Sequence, residues 1–115
     1  MKMIKKNSLA IIVISIFSLQ FCKKKDDSPA VCDISHTYES TVASIISNNC
    51  SSGSCHGISA NNPKFSTYAE LKPYLDNGRF KELVVEKQTM PRGSSLSSSD
   101  LNAIKCWVEA GYPEK

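Results

Sequence analysis

Asn49-Cys50-Ser51-Ser52-Gly53-Ser54-Cys55-His56-Gly57 decides what this chain folds around. Two thiols are separated by four residues, and a histidine directly follows the second. Thiols so placed can add across the two vinyl groups of a haem as thioethers, and the adjoining imidazole is then held against one axial face of the iron. The usual spacing is C-x-x-C-H, so two extra residues must be accommodated here. Far downstream, Thr89-Met90-Pro91 holds the only methionine outside the first three residues, and its sulfur can close the opposite face. Cys50, Cys55, His56 and Met90 are therefore the candidate cofactor-binding residues, with His56 and Met90 as the metal ligands.

The flanking sequence reads as helical. Tyr38, Val42, Ile45 and Ile46 recur at helical spacing, Ser35 or Thr37 can cap them, and Asn48-Asn49 breaks the pattern just before Cys50. Residues 51–63 are rich in Ser, Gly and Asn without periodicity, as a loop around a ligand would be, and Gly53 is available for a backbone conformation the long spacer needs. Thr67 and Glu70 predict a capping box for a second helix carrying Tyr68, Leu71, Tyr74 and Leu75, ended by Gly78 and kinked or broken at Pro73. Residues 80–86 predict a short helix with Phe80, Leu83 and Val84 inward, and residues 87–95 a loop holding Met90. The last helix is the best marked. Ser97 and Asp100 form its expected capping box, Leu101, Ile104, Trp107 and Val108 its apolar face, and Gly111 with Pro113 its stop. No strand pattern or internal repeat stands out.

The first residues read as an export signal. Lys2, Lys5 and Lys6 precede a largely apolar run over residues 9–21, shorter than the ~20 residues that span a bilayer. The run ends in Leu19-Gln20-Phe21-Cys22, which resembles a bacterial lipobox although Phe21 stands where a small residue is usual. A lipid on Cys22 and a charged tether over residues 22–30 are expected, with residues 31–115 as one domain. Lys25-Asp26-Asp27 resembles the short charged signal that sends some such lipoproteins to the cell surface. Export implies an oxidising compartment where each cysteine needs a fate. Cys22 takes lipid, Cys50 and Cys55 take haem, and Cys32 with Cys106 remain for a disulfide. A competing partition pairs Cys50 with Cys55 beside Cys32 with Cys106 and leaves His56 unexplained. A third gives zinc to Cys50, Cys55, His56 and one of Cys32 or Cys106, with the adjacency of Cys55 and His56 awkward for a tetrahedral site.

Composition narrows the function classes. Six of the fourteen basic residues lie within the first 25 positions, and the remainder of the chain is near neutral or slightly acidic. No basic stripe marks a nucleic-acid surface. No carboxylate pair, Ser/His/Asp set or phosphate loop supports hydrolysis or phosphoryl transfer. Trp107 reads as a core aromatic. His36, the other histidine, is the lesser candidate for an axial ligand because it precedes the cysteines.

The order of helix, paired cysteines with histidine, loop, Met90-Pro91 and a terminal amphipathic helix with Trp107 and Gly111 resembles a class I cytochrome c domain over residues 35–113. It is most similar to the small cytochrome c domains of exported lipoproteins of Bacteroidota and related bacteria. The resemblance implies an all-α fold, one covalent haem c on Cys50 and Cys55, and axial ligation by His56 and Met90. It implies a monomeric, lipid-anchored electron carrier of the cell envelope, on the periplasmic side or the cell surface, serving redox partner proteins and catalysing no reaction itself. Crossing of the first and last helices in that fold would bring Cys32 and Cys106 within bridging reach.

Overall fold

The structure, a computed structural model, describes residues 29–30, 32 and 34–115. The expected leader, the expected lipid site at Cys22 and the expected tether up to residue 28 lie outside the described residues. Those described are helical, without strands: a π-helical turn Tyr38–Val42 running into α1 (Ala43–Asn49), α2 (Tyr68–Asp76), a second π-helical turn Lys81–Glu86, and α3 (Ser98–Glu109). None of these helices is long and apolar enough to cross a membrane.

Local chemistry explains each boundary. Thr37 is extended and caps the first turn, its hydroxyl oxygen accepting from the Ser40 N–H while the Ser40 hydroxyl oxygen accepts from the Thr37 N–H. The Thr37 carbonyl accepts from both Thr41 and Val42 N–H groups, which widens the turn to π geometry. Thr67 and Glu70 form the expected reciprocal box. At α3 only half of the expected box forms: Ser97 accepts from the Asp100 N–H, with no return bond from the Asp100 carboxylate in the cap. α2 continues through Pro73 rather than breaking there. Pro73 is exposed, so water can serve the carbonyl whose helical partner the ring removes. Gly78 and Gly111 adopt positive φ of 75° and 81° beyond α2 and α3, as helix-ending glycines do.

The core gathers around Trp107, which has no exposed surface. Its ring meets Phe80 and Tyr112 edge-on, with centroids 5.9 and 5.2 Å away, and Tyr38 at 6.4 Å. Val42, Ile46, Leu71 and Ile104 fill the same cluster. α3 packs against both π-helical turns, and the tail after it returns to the first one, where Tyr38 N–H donates to the Pro113 carbonyl and Glu39 N–H to that of Glu114.

Crossing of first and last elements also brings the Cys32 and Cys106 sulfurs to bonding distance, 2.07 Å, with α-carbons 5.4 Å apart. The two positions are 74 residues apart, and closing a loop of that length removes about 4 kcal/mol of unfolded-state entropy in the chain-entropy model. Replacing both cysteines by alanine should lower unfolding stability by about 2–4 kcal/mol, read from chemical denaturation. An unchanged midpoint would contradict the bridge.

Candidate functional site

Cys50, Cys55, His56 and Met90 line one cavity of about 470 Å³, a size typical of cofactor and ligand sites, which run from ~300 to 1,000 Å³. Two separate stretches of chain supply these groups, and a wall of Phe65, Phe80, Leu83 and Val84 completes an interior that is mostly apolar.

The first stretch begins at the end of α1. Cys50 is its C-cap, and the Ile46 carbonyl accepts from the N–H groups of both Cys50 and Ser51 at 2.8 and 3.0 Å. The chain then curls on itself. The Ser52 carbonyl accepts from Cys55 and Gly57 N–H groups, and the Cys50 carbonyl from His56 N–H. This curl takes up the long spacer, leaving residues 52–54 exposed. It also assigns the need for glycine differently from the sequence expectation. A Cβ on Gly53 would meet nothing, whereas one on buried Gly57 would lie 2.7 and 2.8 Å from the carbonyl oxygens of Ser51 and Ser52.

His56 is held by its own loop. Its Nδ1 lies 2.6 Å from the Pro63 carbonyl oxygen. A carbonyl only accepts, so Nδ1 carries a proton and donates, and a neutral imidazole bonded in this way has its lone pair on Nε2. Metal-binding histidines are commonly oriented this way. Phe65 lies flat on the imidazole, with centroids 4.0 Å apart and planes 11° from parallel.

The second stretch hangs from Leu83. Its carbonyl accepts from Thr89 N–H at 2.9 Å and from Met90 N–H at 3.3 Å, while Gln88 turns the chain with a positive φ of 49°. The Met90-Pro91 peptide is cis. Leu83, expected inward, is half-buried and lines the cavity, and Val84 beside it is buried in the core.

Among the described residues, the full charges lining the cavity belong to Arg79 and Arg92. Arg79 also pairs with Glu82 at 3.1 Å. Burial, with a smaller contribution from Cys55, pushes the Cys50 thiol up to about 11. Cys50 and Cys55 are free thiols, unlike the competing partition that joins them. Cys32 and Cys106, from which the zinc alternative would draw its fourth ligand, lie at bonding distance from each other, and no group of three or more His, Cys, Asp or Glu is gathered among the described residues. His36 is away from the cavity, its Nδ1 3.3 Å from the Thr41 hydroxyl.

Sequence reading missed several members of the site: Gly57 as an obligatory glycine, Pro63 and Phe65 on His56, and the two arginines. A proline and an aromatic a few residues after a histidine carry no signal for such contacts by themselves. Comparison with protein-family models, curated proteins and solved structures finds no match to this chain.

Gly57→Ala should destabilise the domain by about 1–3 kcal/mol, as overpacking against a fixed neighbour does, while Gly53→Ala should be near neutral in the same thermal or denaturant melt. Equal effects would contradict the curl. With both thiols free, iodoacetamide at pH 8 should label exposed Cys55 before Cys50, whose thiolate fraction at that pH is about 10⁻³. Peptide mass mapping at short times reads the order, and Cys50 labelled first would contradict the burial.

Proposed function

We propose that this chain is a monohaem c-type cytochrome: a one-electron carrier rather than an enzyme, exported and tethered at the cell envelope by a lipid on Cys22. One observation carries the reading. Two cysteines, a histidine with its Nε2 lone pair available and a distant methionine border one apolar cavity, which is the donor set a covalent, six-coordinate haem requires.

Bound there, haem would supply an iron that cycles between ferrous and ferric states, passing one electron without bond making or breaking. The chain's own residues do the rest. Cys50 and Cys55 would hold the group covalently, each thiol adding S–H across one vinyl group. His56 would offer Nε2 to the iron, since Nδ1–H is engaged by Pro63. Met90 would offer a soft sulfur, which favours ferrous iron and raises the potential relative to two histidines. Phe65, Phe80, Leu83 and Val84, which line the cavity, would limit access of water to the centre. Arg79 and Arg92 suit the two carboxylates that a haem carries, since guanidinium groups pair well with carboxylate oxygens. The protein would act as a monomer, meeting redox partner proteins of the envelope by diffusion within the reach of its tether.

Purified from an exporting host, the protein should show Soret and α bands that survive acid acetone. The pyridine haemochrome should match a two-thioether haem. Met90→Ala should keep the haem attached, lower its potential and abolish the weak sulfur-to-iron band at the red edge of the ferric spectrum. His56→Ala should prevent accumulation of normal holoprotein. An unchanged ferric spectrum in the methionine variant would remove Met90 from the ligand set, and a colourless native protein would contradict the function.

A further inference from the structure

His56 is restrained in two perpendicular directions. The bond from Nδ1–H to the Pro63 carbonyl lies in the ring plane and fixes where the ring points. That bond alone leaves the ring free to swing about its own direction. The Phe65 face, 4.0 Å away and 11° from parallel, opposes that swing. We propose that Phe65 is a positioning residue that sets the plane of the His56 imidazole, so that Nε2 reaches its metal in one orientation. The proposal rests on the haem reading above.

Phe65 is itself fixed, which lets it serve as a reference surface. Its N–H donates to the His56 carbonyl at 3.0 Å, and its carbonyl accepts from the Ser51 hydroxyl at 3.1 Å. Its ring is met edge-on by Tyr74 of α2, with centroids 5.2 Å apart and planes at 65°. Three anchors therefore tie the aromatic to the attachment curl, to the histidine's own backbone and to α2. The imidazole plane matters because overlap between the ring's π system and the iron orbitals depends on it. A histidine free to rotate would present several planes, and each gives a different ferric low-spin state. The stacked face also shields the imidazole from water, whose approach favours the more highly charged ferric form.

The test uses native holoprotein with Phe65→Leu, which keeps an apolar side chain but removes the flat face, and Phe65→Tyr, which restores the ring. Native protein and Phe65→Tyr should each give one narrow set of low-spin g values by electron paramagnetic resonance. Phe65→Leu should retain covalent haem and His56 ligation, yet broaden or split the signal and shift the reduction potential downward. A native-like spectrum and potential in Phe65→Leu would overturn the proposal while leaving the cytochrome reading intact. A colourless native protein would overturn both. Should the leucine variant fail to accumulate, nuclear Overhauser contacts between the Phe65 and His56 ring protons in ferrous native protein decide the matter: their presence supports the stack, their absence overturns it.

Discussion

The Pro113 carbonyl is the point on which the domain closes. It accepts from the Trp107 indole N–H and from the Tyr38 N–H, both at 2.9 Å, using both lone pairs of one oxygen. A fully buried indole would otherwise leave its N–H unpaired, a cost of about 1–3 kcal/mol. The same oxygen serves one of the N–H groups at the start of the first π-helical turn, which has no partner within its own helix. Gly111 and Tyr112, both at positive φ, turn the chain so that this carbonyl can arrive. Tyr68 reinforces the turn by donating its hydroxyl to the Tyr112 carbonyl at 2.8 Å. Trp107, the first turn, the tail and α2 are thereby fastened at a single place.

What is fastened there sets the two edges of the cavity. Val42 and Ile46 hold the first helical segment in the core, and that segment ends at Cys50. Phe80 stands edge-on to Trp107 and directly precedes, as its N-cap, the second π-helical turn, from which Leu83 suspends Met90. The cysteine segment and the methionine thus depend on one aromatic cluster although they lie far apart in sequence. The Cys32–Cys106 contact reinforces the same crossing from outside the cavity.

Much of this was legible in the residues. Thr67 with Glu70 marked the start of α2, Gly111 and Pro113 the end of α3, and Trp107 its place in the core, because caps and apolar periodicity are local signals. The pairing of Cys32 with Cys106 was reachable from the count of cysteines. Other features were not legible, because they depend on chain segments meeting. The π-helical geometry at Thr37 and at Glu82, whose carbonyl accepts from the Lys87 N–H, has no sequence signature. Pro73 predicts a kink or a break, yet its exposure lets α2 run through it. Gly53 looked like the flexible point of the spacer, whereas the curl requires glycine at position 57, where two carbonyls approach. Phe65 carries no signal in the sequence, and only the folded chain lays it on His56.

Sharing of one covalent cofactor by Cys50 and Cys55, with His56 and Met90 as its iron ligands, can be read by peptide mass spectrometry of the exported protein digested without reduction. A single fragment spanning Cys50 to His56 should carry the full mass of one haem on its two sulfurs. A fragment with Cys50 and Cys55 free, or joined to each other as a disulfide, would contradict it.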